Sequence, residues 1–192
     1  MPPILKNYIN GKFVESKCPE LLNILNPADG QLLASVPAGC RDDIKDAAEK
    51  AHKAWPSWRN TPVTQRIQYL FRMKQILDAN SDEIAEICTR ECGKTFSESK
   101  AELIRATENL EVACGTPKLL QSDFSEDIAT GVDEYYIRFP VGVGASISPF
   151  NFPVILLSFI FKRVHINDRL CFLHHGATQF SADADTMTIC VF

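Results

Sequence analysis

Long apolar runs, clustered basic residues and the cysteine spacing of a disulfide scaffold are all missing from this 192-residue chain. A membrane-spanning helix needs roughly 18 consecutive apolar residues. The richest stretch, residues 154–161, reaches about half of that and reads as buried core or a buried interface. The 20 Lys and Arg are scattered among 24 Asp and Glu, for a net charge of −4, so there is no broad electrostatic footprint for nucleic acid. The opening residues, Met1-Pro2-Pro3-Ile4-Leu5-Lys6-Asn7-Tyr8, carry neither the apolar core of a secretory signal nor the Arg/Ser-rich pattern of a transit peptide. The cytosol is therefore the expected compartment. Seven cysteines, at 18, 40, 88, 92, 114, 171 and 190, form an odd set without the spacing of a disulfide scaffold; most are expected to be reduced thiols packed as small hydrophobes. What is present, 45% hydrophobic and 23% charged residues, fits one ordinary globular domain or two small ones. No internal repeat is visible.

The chain opens β-rich. Asn10-Gly11, the dipeptide that best tolerates positive φ, lies between two short alternating segments and predicts a hairpin. Residues 21–25 and 32–36 read as two more strands around the turn-forming Asn26-Pro27-Ala28-Asp29-Gly30. From Asp42 the period changes to helical, carried by Ile44, Ala47, Ala48, Ala51, His52, Trp55 and Trp58 until Pro56 interrupts. A second helix is expected over residues 63–79, with Ile67, Leu70, Phe71, the Lys74 stem and Leu77 inward and Arg66, Gln68 and Gln75 outward. Asn80-Ser81-Asp82-Glu83 supplies a cap for a helix carrying Ile84, Ile87, Cys88 and Glu91 up to Gly93. A further helix runs through Ala101, Leu103, Ile104, Ala106, Leu110 and Ala113 to Gly115-Thr116-Pro117. The β signature then returns in residues 132–139, and residues 141–147 read as a buried strand entering Ser148-Pro149-Phe150-Asn151-Phe152-Pro153. Such strand-end loops are frequent ligand sites.

Several motifs, standing in order along residues 6–161, resemble the NAD-dependent aldehyde dehydrogenase family. They are Tyr8-Ile9-Asn10-Gly11-Lys12-Phe13, Asn26-Pro27-Ala28, Glu91-Cys92-Gly93-Lys94, and Pro140-Val141-Gly142-Val143 leading into Ser148-Pro149-Phe150-Asn151-Phe152-Pro153. Within the family, Trp58-Arg59-Asn60-Thr61-Pro62-Val63-Thr64, Val112-Ala113-Cys114-Gly115 and Gly131-Val132-Asp133-Glu134-Tyr135-Tyr136-Ile137-Arg138 are most similar to the methylmalonate-semialdehyde branch. That branch oxidises malonate or methylmalonate semialdehyde to acetyl- or propionyl-CoA, releasing carbon dioxide.

The resemblance implies an α/β fold: the amino-terminal part of a Rossmann-like cofactor domain with a β-arm for oligomerisation. Residues 1–121 would form its helical and β amino-terminal part, 122–139 the arm, and 140–161 the first core strand and loop, with 162–192 a non-matching tail never selected to pack. It implies NAD as cofactor, coenzyme A as acyl acceptor, a small-molecule aldehyde as substrate and a homo-oligomer. Neither nucleic acid nor a membrane is expected as a partner. Family chemistry runs through a cysteine thiolate that attacks the aldehyde. Asn151 matches the side-chain donor of the oxyanion hole, and Ser148 and Phe150 match strand-end positions that contact NAD. Without the resemblance, Asn151 between two phenylalanines would be read as a turn residue bonding its own backbone.

Glu91-Cys92-Gly93-Lys94 falls far short of a phosphate-binding loop and reads as a helix end with a mainly structural role. Cys88 and Cys92 share a helix face and read as core packing, not as the nucleophile. Cys171, His174, His175 and Cys190 match no common zinc spacing, so no metal site is expected. From Lys162 onward the family pattern stops: its Lys-Pro-Ser-Glu strand, glycine-rich segment, nucleophilic cysteine and later glutamate have no counterpart here. A lost reading frame near Phe161 is the expectation, with a chain inactive alone, marginally stable and prone to aggregate because its core strand lacks a neighbour on at least one side. The rival reading is a non-catalytic interaction module that joins full-length subunits through the arm.

Overall fold

The computed structural model describes residues 2–139 and 142–154, with the backbone alone at 146–148, 171–172 and 188–191. Strands β1 (Asn7–Ile9) and β2 (Lys12–Val14) pair antiparallel, with Ile9 opposite Lys12. Between them Asn10 and Gly11 hold φ of 53° and 77°, as an Asn-Gly hairpin requires. Strands β3 (Leu21–Leu25) and β4 (Leu32–Pro37) pair antiparallel across the turn that Asn26 closes by accepting from Ala28 N at 3.0 Å. Their inner face, Ile24, Ala34 and Val36, forms a small core to which Leu5 and Leu33 add. The entering chain joins β4 through a parallel bridge, with Leu5 N donating to Ser35 O at 2.8 Å.

Four long helices follow: α1 (Arg41–Arg59), α2 (Val63–Ala79), α3 (Ser81–Cys92) and α4 (Phe96–Cys114), then the single turn α5 (Thr116–Leu119). Helix α1 buries Ala47 and Ala51 against Ile9 of the hairpin. The expected interruption at Pro56 does not occur: α1 continues to Arg59. So close to the helix end, proline removes one backbone donor, while Trp58 two residues on is buried and meets Tyr69 of α2 edge-to-face at 5.4 Å. Helix α4 packs against both α2 and α3 through Leu103, Ala106, Leu110 and Ala113, spaced by three and four residues. Leu70, Leu103 and Leu110 are fully buried, each contributing about 1.5–3 kcal/mol.

Three details of the helical reading are corrected. On α2 the inward face includes Ile67, Leu70, Lys74 and Leu77 as expected, but it is widened on the side of Arg66 and Met73, so Arg66 is 6% exposed and Phe71 43%. The Arg66 stem can be buried while its head finds polar company. On α3, Ala85 and Cys88 are buried while Ile87 is exposed, because α4 approaches the 85/88 edge. Asn80 does not cap α3 with its side chain; its Nδ2 donates back to Ile76 O at 2.7 Å, closing the end of α2 instead.

Beyond α5, β5 (Asp123–Ala129) and β6 (Val132–Tyr136) make an antiparallel hairpin exposed at every residue. The core strand expected over 141–147 is the shorter β7 (Ala145–Ser148). It pairs antiparallel with β9 (Thr188–Val191), which in turn pairs with β8 (Cys171–Phe172). Strand β7 is therefore the edge of a three-stranded sheet, and two of its strands come from the 162–192 segment. The helix start expected at 154–161 lies outside the described residues beyond Val154, as do the side chains of Cys171, His174, His175 and Cys190. Among the described residues no helix is long and apolar enough to cross a membrane, and no group of His, Cys, Asp or Glu is placed to hold a metal ion.

Candidate functional site

Helix α4 has a second face. Residues 98, 101, 102 and 105, at helical i, i+3, i+4 and i+7 spacing, floor a cleft of about 350 Å³. Cys92 and Lys94 at the end of α3 form one wall, and Phe150, Asn151 and Phe152 form the roof. What turns the chain into the wall is Gly93, the left-handed C-cap of α3 (φ 70°, ψ 11°), a conformation glycine takes without a steric penalty. Thr95 then opens α4 with a reciprocal capping box: its N–H donates to Glu98 Oε2 at 2.8 Å, and Glu98 N–H donates to Thr95 Oγ1 at 3.3 Å. The Thr-x-x-Glu spacing carries that signal in the sequence.

The roof is held from below. Lys94 Nζ pairs with Glu102 Oε2, donates to Asn151 O at 3.0 Å and lies 5.4 Å from the centre of the Phe152 ring. Glu102 Oε1 accepts from Val154 N at 2.8 Å. Cys92 Sγ donates to Phe150 O at 3.4 Å, and Phe152 N closes a turn onto Pro149 O at 3.2 Å. The Asn151 side chain is exposed at the cleft, and among the described residues its amide makes no hydrogen bond. The turn is thus closed by backbone, and the alternative in which Asn151 bonds its own backbone does not describe it. Phe150 also faces the cleft. Ser148 is the last residue of β7, and its side chain lies outside the described residues.

The charges sort themselves by partner. Glu98 is held below the ordinary carboxylate value by hydrogen bonds from the Thr95 hydroxyl and then its backbone N–H. Glu102 is committed to Lys94 and Val154. Arg105 has no ion pair among the described residues, so the charge left to meet a ligand is a cation. Burial pushes the Cys92 thiol up to about 11, with Lys94 offsetting part of the effect. Burial and the nearby Glu102 push Cys88 up to about 12. Both are protonated donors at neutral pH and poor nucleophiles.

Sequence reasoning missed Lys94, Glu102 and Arg105. Lys94 stood in a quoted motif but was read as structural. Glu102 and Arg105 were hidden on a helix whose apolar stripe alone was traced; the second i, i+3, i+4, i+7 series of mixed charge was the available signal.

The sequence profile of the aldehyde dehydrogenase family matches residues 13–161. Malonate-semialdehyde dehydrogenase 2 of Bacillus cereus (strain ZK / E33L) is 39% identical over 160 residues, 83% of this chain and 33% of that protein. The acylating, mitochondrial methylmalonate-semialdehyde dehydrogenase of Arabidopsis thaliana is 37% identical over 84% of this chain and 26% of its own. A solved protein of Sinorhizobium meliloti 1021, assigned as a methylmalonate-semialdehyde dehydrogenase and complexed with NAD, superposes with a TM-score of 0.77 at 37% identity, over 82% of this chain and 32% of that one. The methylmalonate-semialdehyde dehydrogenase of Oceanimonas doudoroffii superposes at 0.73 with 30% identity, over 87% and 34%. The chain spans about a third of the length of these relatives. Sequence and fold thus agree over some four-fifths of its residues, and the chain belongs to the aldehyde dehydrogenase family.

Proposed function

We propose that this chain is the amino-terminal, oxyanion-holding part of an NAD-dependent, CoA-acylating dehydrogenase for malonate or methylmalonate semialdehyde. The observation that carries the reading is the uncommitted Asn151 amide facing the same cleft as the uncommitted Arg105. A semialdehyde presents both matching groups: a carbonyl oxygen that becomes an oxyanion on thiolate attack, and a carboxylate. The Asn151 amide donates to the developing oxyanion without changing its own protonation. Arg105 takes the carboxylate through its planar guanidinium.

Phe150, half-exposed at the end of β7, is an aromatic surface of the kind that can flank a nicotinamide, and with Ser148 it would hold that end of NAD. When bound, NAD supplies the hydride acceptor. The glycine-rich cofactor segment, the nucleophilic cysteine and the later glutamate have no counterpart in this chain by family pattern, and on this reading the chain alone does not turn over.

The test is a chimera in which residues 6–154 replace the equivalent segment of the Bacillus cereus relative, assayed for NADH formed from malonate semialdehyde. Asn151→Ala lowers kcat by about a hundredfold to a thousandfold, as for removal of a single oxyanion donor. Arg105→Leu raises KM chiefly. A folded chimera whose rate ignores Asn151→Ala refutes the assignment.

A second reading rests on the β5–β6 hairpin and the residues just after it, where Phe124, Ile128, Val132, Tyr135 and Phe139 are all exposed. This much contiguous apolar surface marks an association site, here with a second subunit of the same family. Co-expression with the full-length relative should yield mixed oligomers that Phe124→Asp with Tyr135→Asp abolishes; no mixed oligomer from the unaltered chain rejects it.

A further inference from the structure

We propose that Lys94 and Glu102 are positioning residues for Asn151: a buried ion pair that fixes the roof loop by its backbone and leaves only the Asn151 amide free. The proposal rests on the oxyanion role given to Asn151 above.

Glu102 has 2% of its side chain exposed and Lys94 16%. Burying a pair of ions is an ineffective way to gain stability, because desolvation offsets most of their attraction and apolar residues of similar volume do as well. What such a pair supplies that apolar residues cannot is direction. Among the described residues, both partners also bond main-chain atoms of one segment. Glu102 receives the Val154 N–H at 2.8 Å on the oxygen that is not facing Lys94, and Lys94 reaches the Asn151 carbonyl at 3.0 Å.

The two anchors fall on either side of Pro153, which has no N–H of its own to offer. With Phe152 N turned onto Pro149 O, the peptide carrying Asn151 is held by its carbonyl at one point and by the chain three residues on at another. The side chain is thereby aimed without being touched. Lys94 itself is oriented from both sides, by the Gly93 turn before it and the Thr95 cap after it. One anchor comes from helix α4 and the other from the turn that joins α3 to it, so the loop follows the α3–α4 junction rather than β7 alone.

Amide hydrogen exchange on the full 192-residue chain tests this. In Glu102→Ala and Lys94→Met, exchange at Val154 is expected to speed up by about tenfold or more, the consequence of losing a hydrogen bond to a charged group. The Leu70 amide in α2 keeps its protection. Lys94→Arg, which retains charge and reach, restores slow exchange at Val154, and Glu102→Gln, which can still accept from Val154 N but not pair with Lys94, falls between. Loop exchange unchanged in both Glu102→Ala and Lys94→Met overturns the proposal. Equal acceleration at Val154 and Leu70 also overturns it, since the pair would then serve global stability only; Lys94→Met, at the more exposed partner, keeps the test available if Glu102→Ala does not fold.

In the chimera described above, Lys94→Met lowers kcat with KM held within about twofold, opposite to Arg105→Leu. If Asn151→Ala is silent there while exchange at Val154 responds as stated, the oxyanion reading fails and the strut stands. If Val154 does not respond, the strut fails whatever the chimera does.

Discussion

Replacing Gly93 by alanine perturbs the joint on which the cleft wall turns. Gly93 holds φ 70°, and a Cβ built there comes 2.6 Å from Pro27 Cγ. Two costs add. An L-residue in the left-handed region loses about 1–2 kcal/mol, and forcing a methyl against a proline ring in a packed joint costs about 1–3 kcal/mol more, so a total of about 3 kcal/mol is expected. Gly30 separates the two. Its φ of 74° is nearly the same, yet nothing lies within 4 Å of its Cβ position, so Gly30→Ala should show the backbone cost alone, about 1–2 kcal/mol. Urea denaturation followed by circular dichroism measures both. At about 2–4 °C per kcal/mol for a chain of this size, Gly93→Ala lowers Tm by about 6–12 °C. Pro27→Ala removes the offending Cγ, so in that background Gly93→Ala should cost no more than Gly30→Ala. Equal costs for the two glycine substitutions in the unaltered chain, or an undiminished Gly93→Ala cost after Pro27→Ala, would refute the reasoning.

Burial by itself would raise the Asp43 carboxyl, but hydrogen bonds from Ser16 Oγ at 2.5 Å, Lys17 N at 3.0 Å and Cys40 outweigh it and hold the group below its ordinary value. Its stabilising effect is therefore complete above the unfolded-state value of 3.8 and is lost as pH falls through the lower folded-state value; Asp43→Asn should cost about 2 kcal/mol at neutral pH and flatten the acid limb of a stability-against-pH curve. Thiols pushed up to about 11 and about 12 make Cys92 and Cys88 slow targets. At pH 8 iodoacetamide should label Cys92 about a hundredfold more slowly than free cysteine, and mass spectrometry finding free-thiol rates would contradict the described burial. Thr95→Ala removes half of the capping box and should cost about 1 kcal/mol, read from the denaturation midpoint with an unchanged m-value.

The local signals were legible because they are local. Asn10-Gly11 specifies its own hairpin, and the 3.6-residue period placed four helices to within a few residues. Family motifs pointed to the loop of Asn151, and the cleft opens beside it. Burial facing was less legible, since Arg66 and Phe71 exchange places according to which neighbour α2 meets, a tertiary outcome that periodicity read to one position cannot resolve. The site's support was least legible of all. Glu102 joins Val154 across 52 residues, and Pro27 meets Gly93, two motifs read separately that turn out to be one joint. Propensity reports neither pairing, because both are set by packing.

The parts of the cleft all lie within residues 92–154, and that has a consequence for the order of assembly. The loop must wait for its anchors on the helices, the longest of these connections spanning 58 residues, while β7 at its base waits further for β9. At roughly 5–20 residues per second of synthesis, the delay between making Cys92 and making Phe150 is roughly 3–12 s, long compared with the microseconds in which helices form. Helices α3 and α4 are thus folded when the loop leaves the ribosome, and it docks onto a finished surface. The contacts that tie the loop to helix α4 and the turn before it are available once residue 154 has been made, ahead of the strand that pairs with β7.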